Sequence, residues 1–224
     1  VAIGAPGAGG RRVGLRRARS STLAAVLLSW FRKRGSGAED APARQPGADE
    51  AKAHGNAALA RGDLAEAERC YRQAVRLEPG DPLGHLNLGY ALIEAGQPKA
   101  ADEAFQQALA LRRPDDRFAH EAHFLRGRAL EALGQLEAAL ASYRQALALQ
   151  PAFEDALQET VRVLLVIARP EEAFAVAHLA MMHIPSATPK MLAAQALHVL
   201  GRREESLALL HAVLAQEPGH VGAL

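Results

Sequence analysis

Residues 48–81 read ADEAKAHGNAALARGDLAEAERCYRQAVRLEPGD, and residues 120–153 read HEAHFLRGRALEALGQLEAALASYRQALALQPAF. Laid over one another, these 34-residue stretches place small residues, one aromatic and one proline at the same offsets. His54-Gly55 falls on Arg126-Gly127, Gly62 on Gly134, Ala67 on Ala139, Tyr71 on Tyr143, Ala74 on Ala146 and Pro79 on Pro151. A period of this length signals stacked helical hairpins. The pattern extends over five units. The second, 82–115, carries Gly89, Gly96, Ala101, Phe105 and Ala108; Pro114 comes one residue late, and residues 115–119 form a short insert. The fourth, 154–186, has Val161 and Ala168 in place of glycines but keeps Ala173, Ala180 and Pro185. The fifth, 187–220, retains Ala194, Gly201 and Pro218, and residue 221 onward reads as the start of a sixth.

Elementary sterics explain the pattern. Helices pack closely where small side chains let backbones approach, so Gly55, Gly89 and Gly127 are expected mid-way along each first helix, facing Ala67, Ala101 and Ala139 on the second. Gly62, Gly96, Gly134 and Gly201 end the first helices, where a positive φ favours glycine. Tyr71, Phe105 and Tyr143 are expected to fill the wedge between hairpins, and Ala67, Cys70, Tyr71 and Ala74 make one buried stripe. Pro79, Pro151 and Pro218 close the second helices. One hairpin cannot bury its own apolar face, so stability comes from neighbours.

On these residues the chain resembles the tetratricopeptide-repeat family, in its bacterial form. The resemblance covers roughly three-quarters of the chain and implies an all-α fold. The expected architecture is a right-handed α-solenoid of about five hairpins over 48–224, preceded by a disordered basic segment, 1–47.

Composition agrees with a packed solenoid: 49% of residues are hydrophobic but only 4% aromatic, as when alanine does the packing. The formal net charge of +1 hides an asymmetry. Residues 1–47 hold nine Lys/Arg against two acids (+7), leaving 17 against 23 (−6) for the remainder. A mildly acidic solenoid is a poor nucleic-acid binder, so no nucleic-acid partner is expected. The single Cys70 excludes an intramolecular disulfide. Within the leader, LAAVLLSWF at 23–31 is too short to span a bilayer as a helix, which needs about 20 residues. Arg32-Lys33-Arg34 follow it directly, with no small-x-small cleavage site, so a cytoplasmic protein is expected. A membrane-surface helix at 23–31 and an export signal there are the competing readings. The missing initiator Met at Val1 and the unfinished sixth unit suggest a piece of a longer protein.

No catalytic constellation assembles, so no enzyme and no cofactor is expected. Residues 4–11 (GAPGAGGR) lack the Lys-Ser/Thr ending of a phosphate loop. His120-Glu121-Ala122-His123 spaces its histidines i, i+3, not the i, i+4 of a helical zinc pair. His178, Met181, Met182, His183, Met191 and His198 could be soft metal ligands, but read better as packing of a degenerate repeat.

Recognition remains. In the family, the first helices line a concave groove, and its register selects one band of residues here. These are Asp49, Lys52, Asn56 and Leu59; Leu86, Asn87, Tyr90 and Ile93; Glu121, Phe124, Arg128 and Glu131; Gln158, Arg162 and Leu165; and Met191, Gln195 and His198. Partner-binding residues are expected to be Lys52, Asn56, Leu86, Asn87, Tyr90, Phe124, Arg128, Glu131, Arg162 and Gln195, with a protein or peptide partner. Some eukaryotic members hold chaperone C-terminal carboxylates with five residues. Lys52, Asn56 and Asn87 match three of those positions, but Glu121 and Leu125 replace the other two, basic, ones. The resemblance therefore implies a non-catalytic interaction scaffold. Its rivals are the substrate-recognition repeats of a larger bacterial transferase, such as an O-linked glycosyltransferase, and a membrane-tethered assembly factor.

Overall fold

A computed structural model describes residues 46–113, 117–219 and 222. The basic leader with its apolar run at 23–31, and most of the residues after Gly219, lie outside the described residues. Among those described are ten α-helices: α1 (Pro46–Ala60), α2 (Leu64–Leu77), α3 (Pro82–Glu94), α4 (Pro98–Leu111), α5 (Ala119–Ala132), α6 (Leu136–Leu149), α7 (Glu154–Val166), α8 (Pro170–Ala180), α9 (Thr188–Val199) and α10 (Arg203–Gln216). They pair as five hairpins, and each hairpin packs on the next through its second helix and the neighbour's first. None is long and apolar enough to cross a membrane.

Local chemistry sets the boundaries. The Asp63 carboxylate accepts from the Glu66 N–H at 3.0 Å and starts α2. Asp81 does the same for α3 through Leu83 N–H at 3.1 Å, with Pro82 pre-set for the first turn. Each first helix ends in one repeated turn. In the first hairpin, Gly62 N–H donates to Leu59 O and Asp63 N–H to Ala58 O, at 2.9 and 3.0 Å. The same pair of bonds recurs at Gly96-Gln97, Gly134-Gln135, Ala168-Arg169 and Gly201-Arg202. This geometry needs a left-handed residue, and the four glycines have φ of 75–78°. Ala168 takes the same role at φ 58° and bears the steric cost of its Cβ.

The close approach that shapes each hairpin differs from the sequence expectation. Gly55, Gly89 and Gly127 do face the second helix, but they meet the aromatic ring and not the alanine. A Cβ added to Gly55 would sit 2.5 Å from Tyr71 Cε1, and one on Gly89 2.6 Å from Phe105 Cε1. Gly127 stands in the same relation to Tyr143. All three rings have 0% exposure. A side chain is absent there because the ring occupies its volume. Sixteen residues separate the partners in each case, and the same spacing pairs Val161 with Ala177 and Ala194 with Leu210. Where the aromatic shrinks, the glycine position grows. In the fourth hairpin the larger residue thus stands on the first helix, while the fifth keeps the small residue there and the larger one on the second.

Polar links cross every joint. Lys52 reaches Asp81, Arg126 reaches Asp102 at 2.7 Å, Arg144 reaches Glu172 at 2.6 Å, and Ser186 and Thr188 donate to the Glu154 carboxylate at 2.9 and 2.8 Å.

Two substitutions test this account. Alanine in place of a mid-helix glycine ordinarily stabilises by about 0.5–1 kcal/mol, whereas overpacking costs about 1–3. Gly89→Ala should therefore destabilise by about 1–2 kcal/mol in urea unfolding. Adding Phe105→Leu should recover part of the loss of Gly89→Ala, giving a favourable coupling in a double-mutant cycle. Ala168→Gly should instead stabilise by about 0.5–1 kcal/mol, as relief of the left-handed strain outweighs the freer unfolded chain.

Candidate functional site

The first helices of successive hairpins also touch one another, α1 with α3, α3 with α5 and α7 with α9. The side on which neighbours meet is the inner side of a bent stack, so the first-helix face is the candidate groove. Its register places Asn56, Tyr90, Arg128, Arg162 and Gln195 at one matching position of the five hairpins.

This face is more filled, and more neutralised, than the sequence suggests. Lys52 is buried, with Nζ 2.6 Å from Asp81 and 2.8 Å from Asp49. Burial opposes its charge, but hydrogen bonds to the two carboxylates more than offset this and raise its pKa. Lys52 is therefore an internal strut between the first two hairpins and not the free cation expected. Leu86 and Phe124 are 1% and 2% exposed and belong to the core. Phe124 packs against the rings of Tyr143 and Phe153, at 5.7 and 5.1 Å between centroids. Because adjacent first helices touch, these two positions close over and offer almost no surface to a partner. Asn87 and Tyr90 are likewise buried. Burial, then the nearby Glu94, pushes the Tyr90 phenol up to about 12, with Arg128 acting in the opposite sense.

The exposed part of the band is polar. Asn56 accepts the Tyr71 hydroxyl at 2.7 Å. Glu131 accepts the Tyr143 hydroxyl at 3.2 Å and a guanidinium N–H of Arg162. The aromatics that close the first and third hairpins thus reach through to orient groove side chains. Arg162 also holds Glu159 at 2.5 Å, while Arg128 stands 3.7 Å from Glu94. Burial works against the charge of Arg162, and its hydrogen bonds and charge interactions with Glu159 and Glu131 raise its pKa nonetheless. Gln195 is exposed. One feature stands apart: Asn87 is 3% exposed, and its Oδ1 has no hydrogen-bond partner among the described residues.

The other sequence candidates separate. His120 packs edge-on against Phe153 at 5.2 Å, and burial lowers its pKa. His123 has a buried Nδ1 without a partner among the described residues. Met191 packs against the small core of Ala187 and Val213, whereas Met182 is exposed. Cys70 is buried, with Sγ 3.5 Å from the Glu66 carboxylate, and burial, then Glu66, holds its pKa above the usual thiol value. Among the described residues no three His, Cys, Asp or Glu side chains cluster to hold a metal.

Comparison with known proteins agrees with this geometry. Tetratricopeptide-repeat models match residues 52–116, 86–173 and 188–212, more than half of the chain. The chain belongs to the tetratricopeptide-repeat family. A 53-residue stretch is 51% identical to cellulose synthase operon protein C of Xanthomonas axonopodis pv. citri (strain 306). That match covers 24% of this chain, and the chain spans only about 3% of that relative. The fold is similar to MamA of Desulfovibrio magneticus RS-1, at TM-score 0.66 and 20% identity over 80% of this chain and 99% of that one. It is also similar to the first repeat domain of Spaghetti (RPAP3), solved bound to the HSP90 peptide SRMEEVD. Here the TM-score is 0.51 at 28% identity, over 55% of this chain and 94% of that one.

The Lys52 strut gives a stability test. Asp81→Ala removes a helix cap and one partner of a buried ion pair, and should cost about 2–4 kcal/mol. Asp49→Ala, which removes a carboxylate that is 53% exposed, should cost less than about 1 kcal/mol in the same urea titration.

Proposed function

We propose that this protein is a non-catalytic interaction scaffold whose first-helix face takes an extended peptide or partner segment. The observation that carries the reading is Asn87. A buried carbonyl oxygen with no protein partner costs about 1–3 kcal/mol, and a native chain keeps such a group only for a reason. A backbone N–H from a bound segment would satisfy it once the Asn87 side chain turns outward to the groove. Asn56, oriented by Tyr71, and the Arg128 and Arg162 guanidinium groups would flank that segment.

The charge pattern narrows the ligand. Lys52 is already held by two carboxylates, and Arg162 by Glu131 and Glu159. A ligand relying on its C-terminal carboxylates would have to break these pairs. A peptide such as SRMEEVD, which the first repeat domain of RPAP3 binds, should therefore bind weakly here. A segment anchored through its backbone and through neutral side chains fits better.

The test separates binding from folding. At the matching position of the third hairpin stands Leu125, 1% exposed, so this register accommodates leucine. Asn87→Leu removes the unpaired acceptor, and its melting temperature should equal or exceed that of the wild type. Peptides selected on an array by the wild-type chain should bind this variant at least about tenfold more weakly, the value of one lost hydrogen bond to a buried group. Unchanged binding would remove Asn87 and the groove from the account.

A further inference from the structure

We propose that the outward stripe of α8 is a self-complementary contact, through which two copies of this chain pair about a two-fold axis. The stripe lies on a second helix, so it does not depend on what the first-helix face binds.

Ala175, Leu179 and Met182 follow one another at i, i+4 and i+7, so they run down one side of α8, and all three are exposed. The helical path continues past Ala180, since the Met181, Met182 and His183 N–H groups each donate to the carbonyl three residues back, at 3.2, 3.1 and 3.0 Å. Met182 is the most exposed large apolar residue described, at 77%, and Leu179 is 59% exposed. At the Leu179 position the first three hairpins carry Gln73, Gln107 and Gln145, and at the Met182 position the first carries Arg76. The fourth hairpin has thus exchanged a polar outer stripe for an apolar one. Half-buried Phe174 widens it. The His178 ring stacks on Phe174 at 5.5 Å, and the Arg202 guanidinium stands 5.4 Å from its centroid at the start of α10. Single apolar residues on a surface need no explanation, whereas adjoining ones mark a contact.

The order of residues says what covers the stripe. Residues 172, 175, 179 and 182 are spaced three, four, three, the seam spacing of paired helices, and this spacing reads the same in both directions. Turned end for end about an axis between Ala175 and Leu179, the helix therefore meets a copy of itself in register. Ala175 comes level with the partner's Leu179, small against large, and Leu179 with the partner's Ala175. Met182 comes level with the partner's Glu172, a carboxylate that Arg144 and Arg169 already hold, so covering it buries no bare charge.

The rim of the stripe is complementary in the same register. Glu171 at one end comes level with the partner's His183 at the other, and the two-fold axis repeats the pair. Both side chains are exposed, and among the described residues no hydrogen bond or ion pair engages either. A carboxylate and an imidazole N–H thus stand free at the two places where each can meet the other. The exposed acids Glu171 and Glu204, at the head of α8 and α10, disfavour an anionic membrane as the occupant. A contact of this kind is isologous, so it closes at the dimer and does not propagate into a filament.

Analytical ultracentrifugation of the full chain tests this. A small helix-on-helix contact should give a reversible dimer with a Kd on the order of 10–100 μM. Leu179→Gln copies Gln73 and Met182→Arg copies Arg76, so both variants should keep the wild-type melting temperature. Each should weaken dimerisation at least about tenfold. Glu171→Lys and His183→Glu should each weaken it about threefold. Combined in one chain they exchange the ends of the rim pair and should restore wild-type association, which a mere loss of apolar surface would not do. A chain that stays monomeric to about 1 mM would overturn the pairing. So would dimers indifferent to Leu179→Gln and Met182→Arg, or a combined Glu171→Lys and His183→Glu chain no tighter than its single variants. Wild-type binding to vesicles of phosphatidylethanolamine and phosphatidylglycerol, lost with Leu179→Gln, would assign the stripe to a lipid surface and overturn it too.

Discussion

The first three hairpins of this chain are closed by one steric exchange, a ring on the second helix occupying the place of a missing side chain on the first. The rings of Tyr71, Phe105 and Tyr143 lie where Cβ atoms of Gly55, Gly89 and Gly127 would be. That contact brings the two backbones together, and their separation sets how far apart the outer and inner faces stand. Everything downstream, including which first-helix residues meet those of the next hairpin, follows from it. In the fourth and fifth hairpins the equivalent positions hold Val161 with Ala177 and Ala194 with Leu210.

The fold was legible because its determinants are local. Positive-φ glycines, capping acids and helix-ending prolines act within a few residues of themselves, and they recur. The partner of Gly55 was harder to read, since Ala67 and Tyr71 lie one turn apart on the same stripe and only geometry tells which one the glycine meets. The candidate groove was legible as a register and much less so as a surface. Lys52 looks like an available cation until Asp81, 29 residues on, is seen beside it. Leu86 and Phe124 look like lining until adjacent first helices are seen to touch. Pair contacts across a joint depend on side-chain reach and stack curvature, and neither is written in the repeat.

The inner face that results is unusual in its internal accounting of charge. Its basic groups are already engaged by acids of the same or a neighbouring helix, and its tyrosine hydroxyls reach across to Asn56 and Glu131. Such a face is pre-arranged, since little side-chain entropy remains to be lost when a partner arrives. It also discriminates: a strongly charged partner meets groups whose valence is already met. The buried Asn87 carbonyl, in the second hairpin, is a conspicuous exception.

The order of the helices along the chain has a mechanical consequence. The principal packing joins each helix to the one before it, the one after it, or the next but one. Contacts of such short sequence separation are quick to form, because little loop entropy is lost before they close. They also mean that, among the described residues, no distant strand or clasp locks the first hairpin to the last. Tension applied at the termini would be borne by one junction at a time, and the molecule would lengthen in steps of a hairpin, as a spring made of separable coils.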